Sequence, residues 1–124
     1  NQYHTELAKF IKMKLKVYKN VKLIAIHSFT KTTREFQRGI KIGLLFNDNI
    51  SLLLKIQKKL EELKIHFGRN IPYSGYFYNY TLDKHSINGF LDNISIEIRN
   101  DLICNEKGIK RYTKLFKKIL QSKL

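Results

Sequence analysis

The segment 94–102 constrains the fold of this chain more than any other stretch of its sequence. From 94 to 99, isoleucines alternate with polar residues, a period of two that is typical of a β-strand with one face in an apolar core. The polar residues are Ser95, Glu97 and Arg99. Three such side chains on an aliphatic strand cost free energy unless their face meets water or a polar pocket. That face is therefore either an ordinary solvated surface or part of a functional site.

Length and composition indicate a single folded domain. The 124 residues, 43% of them hydrophobic and only one a proline, are enough to form a core and argue against disorder. No run of about 18 apolar residues is present, so we expect no membrane association. The single cysteine, Cys104, excludes an internal disulfide, and we expect it to be a small buried residue. Without a signal-peptide pattern, the expected location is cytoplasmic.

The net charge of +14 raises the question of a nucleic-acid partner. The lysines interleave with apolar residues at helical spacing, which is typical of the solvated sides of amphipathic helices. Arginine is scarce, and no helix-turn-helix, zinc-finger or RNA-recognition signature is present. We therefore do not expect nucleic acid to be the main partner. A non-catalytic basic domain that binds nucleic acid or an acidic partner stays open as the alternative function.

Hydrophobic periodicity predicts an alternation of helices and strands across a single domain of residues 1–124. The predicted helices cover 2–18, 50–63 and 106–121, and the predicted strands cover 21–26, 40–46, 65–67 and the 94–99 segment. The near-continuous apolar run 21–26 is typical of a strand covered on both faces. This order predicts an α/β sandwich. Because the chain opens at Asn1 inside a helical pattern, either processing has removed a leading segment or the chain is a fragment of a longer protein, and we expect the fragment.

Several predicted strands end in polar residues. His27, Arg69 with Asn70, and Arg99 each lie near a strand end, where ligands gather in α/β sheets, so we expect them to converge near Glu97. His27 is the best candidate metal ligand, because an imidazole on a rigid strand end can face a pocket. The alternative is a structural histidine that hydrogen-bonds a neighbouring loop. A catalytic zinc site takes three protein ligands, and this sequence has no His-x-x-x-His, His-x-x-Glu or His-x-x-Asp pair, so it would supply only part of a site.

Four blocks of the sequence resemble the N-formylglutamate amidohydrolase family in their order and spacing. They are Ile-His-Ser-Phe-Thr at 26–30, Ile-Pro-Tyr-Ser-Gly at 71–75, Tyr-Thr-Leu-Asp-Lys-His at 80–85 and Ile-Glu-Ile-Arg-Asn-Asp-Leu-Ile at 96–103. The last block is similar to a subgroup described only as amidohydrolases. The resemblance implies the C-terminal portion of a three-layer α/β sandwich with a mixed, largely parallel sheet, like that of zinc carboxypeptidases. It also implies zinc-dependent hydrolysis of the amide bond of an N-acyl amino acid such as N-formylglutamate.

The same resemblance implies roles for individual residues. His27 matches a zinc-binding histidine of the family, and Glu97 matches its catalytic carboxylate on a late strand. The family's other zinc ligands belong to an N-terminal block that this sequence lacks, so we expect those ligands upstream of Asn1. The implied mechanism uses Glu97 as general base and then general acid on a zinc-activated water.

Four further residues are expected to bind the substrate, namely Arg99, Tyr73, Ser74 and His85. Arg99 shares a strand face with Glu97 and can bind a carboxylate or stabilise an oxyanion. The other three have structural alternatives: Tyr73 packs, Ser74 forms a turn, or His85 anchors a loop. The expected partner is a small-molecule acyl amino acid, and exposed sheet edges would favour a homo-oligomer.

Overall fold

The structure of the protein, a computed structural model, describes residues 1–31, 39–72, 74–122 and 124. Its helices are α1 (Gln2–Val17), α2 (Ser51–Glu62), α3 (Gly75–Tyr78), α4 (Tyr80–His85) and α5 (Glu106–Gln121), with a 3-10 helix at Asn100–Ile103. Its strands are β1 (Leu23–Phe29), β2 (Ile42–Leu45), β3 (Gly68–Arg69) and β4 (Asn93–Arg99). The predicted class is confirmed, since the chain is an α/β domain with a mixed sheet.

The four strands form one sheet in the order β1-β4-β2-β3. β1 runs parallel to β4, and β2 runs parallel to β3, but β2 and β4 are antiparallel. Glu97 therefore has two cross-strand neighbours, His27 on one side and Gly43 on the other. This register determines which side chains share the face of Glu97.

One face of the sheet carries the main hydrophobic core. The isoleucines of β4 pack there against the apolar stripes of α2 and α5, while the lysines of those helices are exposed except for the half-buried Lys59. The buried members of this cluster are Ile42, Leu44, Leu52, Leu53, Ile56, Leu60, Ile94, Ile96, Ile98, Phe116 and Ile119. Each fully buried aliphatic side chain of this kind contributes about 1.5–3 kcal/mol. The prediction that α2 and α5 are amphipathic helices with solvated lysines is confirmed.

The opposite face of β4 is covered as well. Ser95, Glu97 and Arg99 are only 2%, 6% and 7% exposed. α4 contacts β1 and β4 from this side, and its buried Leu82 lies outside the main core cluster. The interpretation of this face as an ordinary solvated surface is therefore wrong. Whether each of these buried polar side chains has a hydrogen-bond partner therefore decides how much free energy its burial costs.

Other expectations from the sequence need correction. Within the described residues, β1 lies at the sheet edge with β4 as its single neighbour, and Ile26 is 54% exposed rather than covered on both faces. The third strand is displaced from 65–67 to Gly68–Arg69. Cys104 is exposed instead of buried, because it follows the 3-10 helix, where its thiol donates to the carbonyl of Asp101 at 3.2 Å. Most of the predicted loop 31–39 lies outside the described residues.

Within the described part of the chain, the helices are too short or too polar to cross a lipid bilayer.

Candidate active site

His27 and Glu97 lie side by side on neighbouring strands. Because β1 and β4 are parallel and these residues are in register, their side chains leave the same face of the sheet. Nδ1 of His27 is 3.9 Å from Oε1 of Glu97. The Glu97 side chain is 8% exposed and the His27 side chain 56% exposed, so a buried carboxylate lies behind an accessible imidazole. His27 lies within β1 rather than beyond it, since β1 continues to Phe29.

The environment of Glu97 favours its protonated form more than water does. Oε2 of Glu97 is buried and has no hydrogen-bond partner among the described residues. Burial raises the pKa of Glu97, and the charge of His27 offsets part of this effect. A carboxyl group with a raised pKa is a better proton acceptor than a solvated one when it has to work near neutral pH.

One wall of the site is formed by the segment that follows β3. Gly43, the antiparallel partner of Glu97, has no side chain, and a Cβ atom there would lie 2.1 Å from the carbonyl oxygen of Ile71. The 71–72 segment therefore packs directly on β2 at the position beside Glu97. Ser74 follows this segment closely, whereas Tyr73 lies outside the described residues.

Asn70 holds this wall in place. It adopts a positive φ of 53°, and its Oδ1 accepts hydrogen bonds from the backbone N–H groups of Phe46 and Gly75 at 2.9 and 3.0 Å. Ser74 caps α3 by accepting from the N–H of Tyr76 at 3.2 Å. In this conformation Ser74 matches the turn-forming alternative, and its role toward a substrate stays a prediction.

The guanidinium group of Arg99 donates hydrogen bonds to other groups of the protein. Its Nε and Nη2 donate to the two carboxylate oxygens of Asp101 at 2.6 and 3.2 Å, and Nη1 donates to the carbonyls of Gly39 and Ile40 at 3.2 and 3.5 Å. The hydrogen bonds from Arg99 lower the pKa of Asp101. The guanidinium group thus ties the end of β4 to the segment before β2, which is a positioning role.

The expected convergence of strand ends is only partly correct. His27 and Arg99 lie toward the carboxyl ends of the parallel pair β1 and β4. β3 runs in the opposite direction to β4, and Arg69 is in register with Leu44, which pairs with Ile96 in the middle of β4. Contrary to the expectation from the sequence, Arg69 and Asn70 therefore do not share a strand-end edge with His27 and Arg99, and Asn70 contributes to the site through the wall that it holds in place.

His85 is paired with a histidine of α1. Nδ1 of His4 and Nε2 of His85 are 2.9 Å apart, so one imidazole donates to the other, and their rings stack at 5.2 Å. Burial, followed by the neighbouring His4 and Lys84, lowers the pKa of His85. An apolar groove of about 460 Å³ lies beside this pair, between α1, α4 and β1. The pairing matches the anchoring alternative for His85, and substrate binding by this residue stays a prediction.

A catalytic zinc ion would find only part of its ligand set here. His27 and Glu97 fit the pattern of an imidazole ligand with a neighbouring carboxylate that handles protons. The described residues contain no group of three histidine, cysteine, aspartate or glutamate side chains that would hold a metal. The imidazole of His27 and the carboxylate of Glu97 are groups that suit a zinc site, and the remaining zinc ligands would have to come from outside the described residues.

Comparison with known proteins agrees with this geometry. The sequence model of the N-formylglutamate amidohydrolase family matches residues 1–104. The chain belongs to this family. The family is one of amide hydrolases by its description, and the match includes both His27 and Glu97.

The fold also resembles a solved structure. The crystal structure of gene product Atu2144 from Agrobacterium tumefaciens superimposes with a TM-score of 0.79 at 29% sequence identity. The similarity covers 98% of this chain but 50% of the Agrobacterium protein, so the chain spans half the length of that relative. No curated protein sequence matches the chain significantly.

The roles of several residues that shape the site were not predicted from the sequence. Gly43 carried a signal, since a glycine inside an apolar strand often marks the close approach of another segment. Asp101 also carried a signal, since a carboxylate two residues after Arg99 is close enough to pair with its buried guanidinium group. The roles of Asn70 and His4 depend on contacts 24 and 81 residues apart, which no local pattern indicates.

Proposed function

We propose that this protein is a zinc-dependent hydrolase of the amide bond of N-acyl amino acids, with N-formylglutamate as the first substrate to test. The observation that carries the proposal is the buried Glu97 carboxylate beside His27, both within the range 1–104 that the amidohydrolase family model matches. An orphaned acidic oxygen in a protein interior costs free energy, and catalytic sites are a common place for such a group.

His27 would hold the zinc ion as one of its ligands, together with ligands from outside the described residues. Zinc, when bound, lowers the pKa of a coordinated water to about 7 and polarises the amide carbonyl. Glu97 takes a proton from the attacking water at its carboxylate and delivers it to the nitrogen of the leaving amine. The carboxylate is thereby restored, and the products are a carboxylic acid, formate in the case of N-formylglutamate, and the free amino acid.

The neighbouring residues support this chemistry. Arg99 fixes the end of β4, the strand that carries Glu97, through its two hydrogen bonds to the carboxylate of Asp101. The 71–72 segment narrows the space beside Glu97 by packing on Gly43. Tyr73 and Ser74 continue this segment, and we propose that they contact the bound substrate.

The test is the release of glutamate by the natural protein, together with formate from N-formylglutamate or acetate from N-acetylglutamate. We expect turnover with zinc, its loss after chelation and its return when zinc is restored. His27→Ala should lose both zinc binding and turnover. His66→Ala is the matched control, because His66 is an exposed histidine on the segment before β3. Equal zinc content and equal turnover in the two variants would reject the assignment of His27, and no hydrolysis of any acyl amino acid with zinc would reject the function.

A further inference from the structure

A second groove lies on the other face of the sheet from Glu97. It has a volume of about 710 Å³ and runs between α5, the turn after α2 and the start of β2. Ile42 lines this groove and pairs with Ile98, whereas Glu97 pairs with Gly43 on the opposite face. The groove is therefore separate from the proposed catalytic site.

The rim of this groove is strongly basic. Five exposed cationic side chains line it, namely Lys41, Lys64, Arg111, Lys114 and Lys118. No aspartate or glutamate lies among the described residues that line it. None of the five cations forms an ion pair with a carboxylate in the described part of the chain. Unpaired cations around a concave surface create a positive potential that attracts an anionic ligand.

The floor of the groove is apolar. Half-buried side chains of Ile40, Ile65, Leu115 and Tyr112 line it, and Tyr112 supplies an aromatic ring. A cationic rim above an apolar and aromatic floor matches a ligand with a charged backbone and flat apolar groups. Single-stranded nucleic acid has this chemistry, because its phosphates bind cations while its bases stack on aromatic and apolar surfaces.

We propose that this groove binds single-stranded nucleic acid, with phosphodiester groups on the rim and bases against the floor. A flat bilayer surface would meet the rim but not reach the concave floor. An acidic peptide would meet the cations but has no flat groups to cover Tyr112 and its aliphatic neighbours. Charge and shape together therefore favour the nucleic acid. The binding does not depend on the hydrolase activity proposed above.

The test measures the anisotropy of a labelled single strand of about 15 nucleotides, titrated with the protein at several salt concentrations. The variant Lys114→Glu with Lys118→Glu inverts two rim charges one helical turn apart on α5. The control Lys12→Glu with Lys16→Glu makes the same change of net charge, also one turn apart, on exposed positions of α1 outside the groove.

The groove variant should bind the strand at least about tenfold more weakly than the unchanged protein. The slope of log affinity against log salt concentration should be shallower by about 1.4, because two lysines are replaced and each phosphate contact on a single strand contributes about 0.7. The α1 control should change affinity less than about threefold and keep the slope. Equal losses in the two variants would show attraction by net charge alone and overturn the proposal. Tighter binding of polyglutamate or of anionic vesicles than of the oligonucleotide would overturn it as well.

Discussion

Replacing Glu97 by glutamine should stabilise the metal-free protein at neutral pH. In the native state Glu97 is 6% exposed, and its Oε2 lacks a hydrogen-bond partner among the described residues. Leaving a buried polar atom unsatisfied costs about 1–3 kcal/mol, and more when it is charged. Glutamine has nearly the same shape without the charge, although its amide still needs partners. We therefore expect a net gain of about 1 kcal/mol, equivalent to a rise of about 4 °C in Tm for a domain of this size.

The sign of the pH dependence follows from the raised pKa of Glu97. Between the unfolded pKa near 4.5 and the higher folded pKa, the folded state binds more protons than the unfolded state. Stability of the unchanged protein therefore falls as pH rises through this window. Glu97→Gln removes that dependence, so its advantage should be near zero at about pH 4 and largest above the folded pKa.

Thermal unfolding followed by circular dichroism at a series of pH values, with a chelator present, measures this difference. Glu62→Gln is the matched control, because Glu62 is exposed at the end of α2 and its change should stay within about 0.5 kcal/mol. A Glu97→Gln variant that is less stable at every pH, or whose advantage does not grow with pH, would refute the reasoning.

The remaining predictions concern the wall beside Glu97 and the histidine pair. Gly43→Ala should destabilise the protein by about 1–3 kcal/mol in chemical denaturation, because its Cβ would collide with the carbonyl of the facing segment. Gly39→Ala has open space, so equal effects at both glycines would contradict this packing. Burial lowers the pKa of His85, so the folded state binds fewer protons and stability should fall as pH drops below about 6.5. His85→Gln should flatten this acidic loss, whereas His66→Gln should retain it; an unchanged profile in His85→Gln would count against the pairing.

The local part of the site could be predicted from the sequence. The alternation over 94–99 predicted the strand and the shared face of Ser95, Glu97 and Arg99. The polar end of the first strand identified His27 as the side chain to place near Glu97. Both inferences depend only on the period of a strand and on strand ends, which are local properties of the chain.

The rest of the site depends on contacts that no local pattern encodes. A short strand carries no signal of its direction, so the sequence could not show that β2 and β3 run antiparallel to β4, nor that Asn70 holds the wall beside Glu97 instead of sharing a strand-end edge with His27. The edge position of β1 and the exposure of Ile26 depend on strand order. The partner of Arg99 depends on the turn of the 3-10 helix that brings Asp101 back to it.

The central claim is that Glu97 transfers the proton in amide hydrolysis. The most direct test measures kcat and zinc content together for the zinc-loaded natural protein and its Glu97→Gln variant. The account predicts an unchanged zinc content and a fall in kcat of about 10²–10⁴, the usual contribution of a general acid–base group. A Glu97→Gln variant that hydrolyses the substrate as fast as the unchanged protein would contradict it.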